Sequence, residues 1–358
     1  MDWQEYRIGD LFESSNGDFD IQASHINGRG DYVVSSGETN SGIIGKTDVP
    51  AKVFDANTIT IDMFGTPFFR SYSYKMVTHA RVFSMKMKNH HLSNLTGNYF
   101  VATLNYIKKI HSYSDMASFN KIKDYKIILP THNNEIAFDY IVEFVNTLEV
   151  ERLATLEAYL FATGLKNTEF TLEERSALDI LEADSVSWKV FNLKELFGSA
   201  TRGKRLKSAD RIVGNLPFVT AGETNMGISD FIGNKVQVFS ENTVTIDMFG
   251  SAKYRNYIYG ADDHVAVIHT ENLDKFSSLF ITSSIHKSAH AGQFDYSRNF
   301  YAADADNLMI SLPVKEDGTI DYDFMTNLMS AIQKHVIKDV VKYLYNRIEA
   351  TNQIIKES

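Results

Sequence analysis

Two pairs of residues in this sequence could carry out acid–base chemistry or bind a metal ion. Asp62 is followed by His79, and Asp247 is followed by His264 at the same spacing. A carboxylate beside an imidazole can transfer protons, and both groups are common metal ligands. Neither pair has a repeated third ligand of another type beside it, so the signal for zinc binding or hydrolysis is weak. A hydrogen-bonded structural histidine is the favoured interpretation, and a duplicated metal-dependent hydrolase stays open as the alternative.

Both pairs belong to an internal duplication. Residues 57–65, Asn-Thr-Ile-Thr-Ile-Asp-Met-Phe-Gly, recur as residues 242–250 with a single Ile-to-Val exchange. The alternation of apolar and polar residues predicts a half-buried β-strand that ends at a glycine. The correspondence extends from Trp3 and Trp188, near the start of each copy, to a Leu-Pro pair near its end. Two copies of one unit therefore fill nearly the whole chain.

The composition is that of a folded protein. The chain has 358 residues, of which 44% are hydrophobic, and this length suits two ordinary domains. It contains no cysteine, which excludes disulfides and thiolate metal ligands. Because the sequence has neither a long apolar run nor a basic, apolar secretory signal, we expect no membrane association and a cytoplasmic location.

The net charge of −9 is concentrated in one segment. Residues 135–187 hold 3 Lys or Arg against 12 Asp or Glu. The flanking segments are nearly neutral, with 14 against 13 in residues 1–134 and 13 against 13 in residues 188–313. The repeated domains are therefore free to present local basic surfaces, despite the acidity of the whole chain.

The sequence pattern predicts an α+β fold in four segments. Short alternating runs, separated by Gly, Asn and Ser clusters, make residues 1–134 and 188–313 β-rich. In residues 135–187 the apolar residues recur at helical spacing, which predicts a long helix. Gly164 is placed to end that helix, and Thr171 to Glu174 have the spacing of a capping box that begins a short helix. Residues 314–358 predict a turn and a second long helix.

Each predicted long helix carries an apolar stripe that is too long for its own domain to cover. We therefore expect the two helices to pack against each other as an antiparallel coiled coil, since two equal units close most simply around a twofold axis. The two β-rich domains would then lie at opposite ends of the helices. For a helix of about 27 residues, their separation would be about 40 Å.

Four features together resemble a known family. They are the pattern Trp-x-x-Tyr/Phe-x-Ile/Leu-x-x-Leu-Phe that begins at Trp3 and Trp188, the run Pro-Phe-Val-Thr-Ala-Gly-Glu-Thr-Asn at residues 217–225, the repeated strand, and the helical segment after each Leu-Pro pair. The chain resembles the DNA specificity (S) subunits of Type I restriction-modification systems. Thr163-Gly164-Leu165, followed by Leu172-Glu173-Glu174, is similar to the specificity subunits of the related Type IIB enzymes.

The resemblance implies a non-catalytic subunit with two target-recognition domains, each of which reads one half of a bipartite site in double-stranded DNA. It implies methyltransferase subunits as partners, with a nuclease subunit as a further potential partner. S-adenosylmethionine is expected on the methyltransferase, and no cofactor or metal is expected on this chain. A separation of about 40 Å would correspond to about 11 to 12 base pairs. A scaffold whose acidic helix binds a basic protein is the alternative outside DNA binding.

The absence of two catalytic motifs agrees with a non-catalytic role for this chain. The sequence has no Asn/Asp-Pro-Pro-Tyr/Phe stretch and no glycine-rich nucleotide fingerprint after a strand. Methyl transfer is therefore expected to be the task of another chain.

Matched positions that differ between the two copies are where half-site preferences would diverge. The second copy carries a basic segment where the first copy carries Asp20 and Gln22. Arg and Lys suit guanine, Asp suits cytosine N4 and Gln suits adenine, so the two domains are predicted to read different half-sites. A solvated surface loop is the competing interpretation. The predicted DNA contacts of this group are Asp20, Gln22, Arg29, Lys46, Arg202, Lys204, Arg205, Lys207 and Arg211.

Positions shared by both copies predict contacts that do not depend on DNA sequence. Arg70 and Arg255, each followed by two tyrosines, could be phosphate clamps or core-edge residues. Asn40 and Asn225 lie in Gly-Glu-Thr-Asn loops, which could approach DNA through backbone amides or could be plain turns. All four residues are included among the predicted DNA contacts.

The long helices supply the predicted docking surface for the methyltransferase. Apolar residues recur there at roughly helical spacing, so they share or border one face. The predicted partner contacts are Phe144, Leu148, Leu156, Leu328, Ile332 and Val336.

Overall fold

A computed structural model describes the backbone of residues 1–357 and the side chains of residues 1–350. The chain divides into two compact units, Met1–Leu156 and Glu157–Ser358. Each copy of the repeat forms a β-rich domain followed by a long helix, which confirms the predicted α+β class. Ser358, the last residue of the predicted second helical segment, lies outside the described residues.

The first copy consists of short strands, short helices and one long helix. Its strands are β1 (Asp2–Arg7), β2 (Phe12–Asn16), β3 (Asp31–Val34), β4 (Ile43–Thr47), β5 (Thr58–Ile61), β6 (Pro67–Arg70), β7 (Tyr74–Met76), β8 (Phe83–Met87), β9 (Lys126–His132) and β10 (Glu135–Ile136). Its helices are α1 (Ile8–Leu11), α2 (Asn94–Leu104), α3 (Phe119–Ile122) and the long α4 (Phe138–Ala162), with 3-10 turns at Ala23–His25, Thr39–Gly42 and Asn105–Lys109.

The second copy repeats this order after a connecting helix, α5 (Leu172–Glu182). Its strands are β11 (Trp188–Asn192), β12 (Thr201–Arg202), β13 (Val213–Val219), β14 (Ile228–Ile232), β15 (Val238–Phe239), β16 (Thr243–Asp247), β17 (Ala252–Arg255), β18 (Tyr259–Ala261), β19 (Val265–Ile268) and β20 (Met309–Pro313). Its helices are α6 (Leu193–Phe197), α7 (Lys275–Ala289), α8 (Ala302–Asp306) and the long α9 (Tyr322–Glu357), with 3-10 turns at Ser208–Asp210 and Thr224–Gly227.

Three small sheets form each domain. In the first domain their strand orders are β2-β8-β5-β6, β4-β3-β7 and β1-β9-β10. In the second domain they are β12-β19-β16-β17, β14-β13-β18-β15 and β11-β20. Most pairs are antiparallel, but β3 pairs with β7, and β13 with β18, in parallel. The repeated strand is thus β5 in one copy and β16 in the other, and it lies inside its sheet in both.

The repeated strand is buried on both faces, whereas its alternating pattern predicted burial on one. Ile59 and Ile61 belong to the hydrophobic core that includes Phe100 of α2. The threonines of the other face are buried as well, because they meet the second sheet of the domain. There Oγ1 of Thr58 lies 2.9 Å from the hydroxyl of Tyr74 on β7. The same contact joins Thr243 and Tyr259 in the second copy, also at 2.9 Å.

The first turns of α9 belong to the core of the second domain. Phe324, Met325 and Leu328 are buried in the hydrophobic cluster that contains Ile246 of β16 and Ile281 of α7. Leu328 is therefore enclosed by its own domain, and the prediction that it contacts a partner protein is wrong. Helical spacing identified the apolar stripe, but it did not show where along the stripe the domain ends.

The predicted boundaries between helices are confirmed by their capping interactions. Gly164 has φ 69, the left-handed conformation that favours glycine at a helix end. Oγ1 of Thr171 accepts a hydrogen bond from the N–H of Glu174 at 3.2 Å, and Oε2 of Glu174 accepts one from the N–H of Thr171 at 2.8 Å. This reciprocal pair is the predicted capping box of α5. The antiparallel packing of α4 and α9 stays a prediction.

A buried ion pair holds α5 against α9. Glu174 is 4% exposed and accepts hydrogen bonds from Ser330 Oγ at 2.6 Å and from Lys334 Nζ at 2.8 Å. Lys334 Nζ also donates to the carbonyl of Glu169 at 2.9 Å. Burial raises the pKa of Glu174, but the hydrogen bonds from Lys334 and Ser330 outweigh it, so the pKa lies below its usual value.

Among the described residues, no helix is both long and apolar enough to cross a membrane.

Replacing Glu174 tests the contribution of this ion pair. We expect Glu174→Gln to lower the free energy of unfolding by about 2 kcal/mol at pH 7, because Lys334 is left without its counter-charge in a nearly buried position. The folded-state pKa of Glu174 is depressed, so this stabilisation is present above the unfolded-state pKa of about 4.3 and is lost as pH falls through the folded-state value. Chemical denaturation of the full chain at several pH values measures both effects. Glu182→Gln, on the exposed end of α5, should change little, and equal effects of the two variants would contradict the assignment.

Candidate nucleic-acid interface

An aspartate at the end of the repeated strand holds the Gly-Glu-Thr-Asn loop in place. In the first copy, Oδ1 of Asp62 accepts hydrogen bonds from the backbone N–H groups of Phe64 at 3.0 Å and Thr66 at 2.9 Å. Oδ2 accepts a third, at 3.1 Å, from the N–H of Gly37, the first residue of the loop. The second copy repeats all three bonds, from Phe249, Ser251 and Gly222 to Asp247, at 3.0, 3.0 and 3.2 Å.

A buried arginine supports the same loop from the neighbouring strand. Nε of Arg255 donates to Oγ1 of Thr245 at 2.9 Å, and Nη1 donates to the hydroxyl of Tyr257 at 2.9 Å and to the carbonyl of Met226 in the loop at 2.8 Å. In the first copy Arg70 makes the equivalent bonds to Thr60 at 2.9 Å and to Tyr72 at 3.2 Å, but among the described residues it has no hydrogen bond to the loop itself.

Burial decides between the two interpretations of these arginines. Arg70 and Arg255 are each 1% exposed and are the largest fully buried side chains of their domains. A guanidinium group in this position cannot reach a phosphate on the surface, so the prediction of direct DNA contact is corrected to a core-edge role. We call the pair formed by the buried Arg and the strand-end Asp in each copy the loop cage.

The loops themselves have an unusual backbone. Asn40 and Ser41 have φ values of 49 and 53, and Asn225 and Met226 have 50 and 55, all in the left-handed region. Each loop is therefore a fixed, strained turn, not an extended flexible segment. The side chains of Asn40 and Asn225 bond back to the carbonyls of the third residues beyond them, at 3.1 and 3.3 Å. These asparagines are exposed, and their contact with DNA stays a prediction.

The structure separates the Asp–His pairs that suggested catalysis. Asp62 is occupied by backbone N–H groups, whereas His79 bonds to Asp20, whose Oδ1 lies 2.6 Å from Nδ1 and 3.0 Å from the backbone nitrogen of His79. These bonds from His79 hold the pKa of the Asp20 carboxyl below its usual value. Gln22 joins the same cluster through its side-chain N–H, 2.6 Å from Oδ2 of Asp20. The predicted base-reading residues Asp20 and Gln22 are thus exposed but bonded to each other and to the loop of His79.

In the second copy, His264 contacts its neighbour and not Asp247. Nδ1 of His264 lies 3.0 Å from Oδ1 of Asp263. Asp262, Asp263 and His264 place ligand atoms within 4.8 Å of one another, the spacing that a metal ion would need. Oδ1 of Asp262, however, accepts a hydrogen bond from the N–H of Leu206 at 3.2 Å, so this group already anchors a neighbouring segment.

That neighbouring segment carries the basic residues predicted to read DNA. Arg202, Lys204, Arg205 and Lys207 are all exposed, and their side chains have no hydrogen-bond or ion-pair partner among the described residues. Gly203 fixes the segment on the domain, because a Cβ atom there would lie only 1.5 Å from the carbonyl oxygen of Ala261. The four cations therefore project from a backbone that is held in place.

The remaining predicted DNA contacts have different surroundings. Arg211 is partly buried, with its guanidinium 5.2 Å from the ring of Phe218 and 3.8 Å from Oδ2 of Asp230. Lys46 lies over the ring of Tyr32 at 4.4 Å. Arg29 is exposed. As DNA contacts, all of these residues stay predictions.

A comparison of the whole sequence with known families decides the kind of protein that carries these surfaces. The family described as Type I restriction modification DNA specificity domain matches residues 1–158 and again residues 185–343. The chain belongs to this family. It is a specificity subunit with two tandem recognition domains, as the resemblance implied, and its family is non-catalytic.

Two relatives show how far this specificity subunit resembles others. The specificity subunit S.BcgI of a Type II restriction enzyme from Heyndrickxia coagulans is 26% identical over 278 residues, which cover 76% of this chain and 75% of the relative. The crystal structure of the S subunit of a Type I restriction-modification system from M. genitalium has a TM-score of 0.63 at 15% identity. The match covers 99% of this chain and 94% of that chain, so the fold is shared over the whole length.

Each domain of the specificity subunit also exposes a tyrosine, at matched positions, that the sequence patterns did not single out as a site. Tyr113 and Tyr296 are 73% and 85% exposed, and each lies beside the phenylalanine that follows the repeated strand, at ring distances of 6.3 Å from Phe64 and 5.1 Å from Phe249. The duplication offered a signal, because both tyrosines precede a serine at matched positions.

Five of the six predicted docking residues of the specificity subunit are accessible to some degree. Phe144, Leu148, Ile332 and Val336 are exposed, and Leu156 is partly buried. Phe144 also touches its own domain, since its ring lies 6.4 Å from that of Tyr99. The long helices expose further apolar side chains at Val150, Tyr159, Phe161, Val340 and Tyr343.

The loop cage makes a prediction about backbone protection. Asp247→Asn replaces one carboxylate oxygen by an amide NH2 group, so at least one of the three bonded N–H groups loses its acceptor. We expect the amide of Gly222 to exchange with solvent about tenfold faster, as measured by hydrogen exchange on the full chain. Asp210→Asn is the control, because Asp210 is exposed and lies outside the cage. Unchanged exchange at Gly222 in Asp247→Asn would show that the loop does not depend on this aspartate.

Proposed function

We propose that this specificity subunit directs a DNA methyltransferase to a bipartite site in double-stranded DNA, with each recognition domain reading one half. The observation that carries the proposal is a difference between two matched surfaces. The second domain presents Arg202, Lys204, Arg205 and Lys207 without internal partners, where the first domain presents the bonded cluster of Asp20, Gln22 and His79. Surfaces of opposite charge on one scaffold favour different base edges.

The electrostatics of the second domain favour a polyanion. Four unpaired cations lie within six residues on a segment whose backbone is held at Gly203 and by Asp262, and this density of positive charge favours binding to phosphates or guanine edges. The acidic connector does not oppose this, because its charge lies outside the recognition domains.

The long helices are the proposed docking surface for the methyltransferase. Val336 is 72% exposed and Phe161 is 76% exposed, and apolar side chains as open as these favour contact with another protein. The methyltransferase would supply S-adenosylmethionine and the catalytic groups, and a nuclease subunit is a further proposed partner. The relative named as the specificity subunit of a restriction enzyme supports this assignment. We place the complex in the cytoplasm, where its DNA substrate would be.

Charge removal in the basic segment tests DNA binding. We expect Arg205→Gln/Lys207→Gln to weaken the binding of duplex DNA by the complex with its methyltransferase and to reduce the dependence of log K on log salt by up to about two. Titrations with a fluorescent duplex at several salt concentrations measure both quantities. Lys287→Gln/Lys338→Gln removes the same charge from helices α7 and α9 and should leave the slope unchanged. If both double variants behave alike, the basic segment does not contact DNA.

Segment exchange tests the assignment of half-sites. Replacing residues 204–211 by residues 19–26 of the first domain keeps Gly203 and should alter only one half of the methylated sequence, because each domain is proposed to read its half independently. Mapping of methylated bases in cells that express the variant with the methyltransferase gives the result. A change in both halves would refute independent reading.

A charge placed on the exposed stripe of α9 tests docking. We expect Val336→Asp to weaken association with the methyltransferase at least tenfold, since a carboxylate would have to be desolvated in an apolar interface. Asn346→Asp adds the same charge to the same helix without removing an apolar side chain and should bind normally. Association is measured by calorimetry with purified subunits. Full affinity of Val336→Asp would exclude this stripe from the interface.

A further inference from the structure

The tip of the Gly-Glu-Thr-Asn loop in the second domain presents an apolar side chain to solvent. Met226 is 53% exposed and has φ 55, a left-handed conformation that is uncommon for a residue with a long side chain. Its neighbour Asn225 is also left-handed, with φ 50. Neither feature helps the domain to fold, because the side chain contributes little to the core and the backbone is strained.

The loop cage maintains this conformation. Nη1 of the buried Arg255 binds the carbonyl of Met226 itself at 2.8 Å, and Asp247 binds the N–H of Gly222 at the start of the loop at 3.2 Å. Gly227 follows the tip, also left-handed, and a Cβ atom there would lie 2.8 Å from the carbonyl of Thr220. Buried polar groups therefore hold the backbone of this one exposed methionine in a fixed conformation, while its side chain stays free to move.

The two copies of the loop differ at the tip. The first copy reads Gly37-Glu38-Thr39-Asn40-Ser41-Gly42, and the second reads Gly222-Glu223-Thr224-Asn225-Met226-Gly227. Ser41 has φ 53, so the backbone of the tip is the same while its side chain changes from polar to apolar. This is the relation expected of a scaffold that holds different readers at one position.

We propose that the tip residue is a specificity-determining position, and that Met226 contacts the C5-methyl group of a thymine in the second half-site. The inference rests on the proposed function and names one residue and one base within it. The thymine methyl is the apolar group that base pairs present in the major groove, so it is the complement of an apolar side chain held on a polar loop. Methionine is unbranched and flexible, which allows it to follow the position of a methyl group.

Deoxyuridine, which lacks this methyl group, tests the contact. Each thymine of the second half-site, on either strand, is replaced in turn by deoxyuridine in a duplex that carries the mapped site. We expect one such replacement to weaken binding by the complex with the methyltransferase about fourfold, the ratio that corresponds to burial of one methyl-sized group. In Met226→Asn, which keeps a residue that tolerates the left-handed backbone, the thymine and deoxyuridine duplexes should bind equally. Met226→Leu keeps an apolar side chain and should retain the discrimination.

Ser41→Asn is the matched control in the first domain and should leave the discrimination in the second half-site unchanged. A second half-site without thymine would overturn the proposal, as would deoxyuridine effects that persist in Met226→Asn or that are absent from the wild-type complex. These results would overturn only the contact of Met226. If the proposed function itself were wrong, the wild-type complex would show no sequence-selective binding or methylation, and no half-site could be mapped.

Discussion

The hydrogen bonds of the buried guanidinium group of Arg255 are the interaction on which the recognition surface of the second domain depends. Burying a charged group is costly unless its hydrogen bonds are made inside the protein. Arg255 meets this requirement through Thr245 on the repeated strand, the hydroxyl of Tyr257 and the carbonyl of Met226. One side chain thereby connects the inside of a sheet to an exposed loop, and Asp247 fixes the start of the same loop. In both copies the second threonine of the nine-residue repeat accepts a hydrogen bond from the buried arginine, and its aspartate accepts one from the loop.

The sequence predicted the two repeated domains and their secondary structure well, because the duplication and the periodicity report on local structure. Strand, helix and capping signals depend on neighbouring residues, and the capping box at Thr171 and the glycine at Gly164 appear in the structure as expected. The errors concern contacts between residues that are distant in sequence. Arg70, Arg255 and Leu328 were predicted to be accessible, and all three are buried. Whether such a side chain reaches the surface depends on how a second sheet or the edge of the domain packs against it, and the local sequence does not show this.

The same limit explains the Asp–His pairs. Their equal spacing in both copies is real, yet spacing along the chain does not show which residues of a distant loop approach them. His79 meets Asp20 and Asp62 meets backbone N–H groups, so each member of the pair has a separate structural task. The matched position of Asp20 in the second copy is Arg205, which is exposed and unpaired among the described residues. Comparison of the two copies is therefore more informative about function than either pattern alone.

The burial of the first turns of α9 has an evolutionary consequence. Phe324, Met325 and Leu328 are part of the core that surrounds Ile246, so the natural joint of this domain lies within the helix and not at the Leu-Pro pair before it. Genes that acquire a new recognition domain by recombination would have to cross over after the codon for Leu328 to inherit an intact interior. An earlier crossover would combine the incoming β-rich domain with helix residues that pack in the core of a different domain.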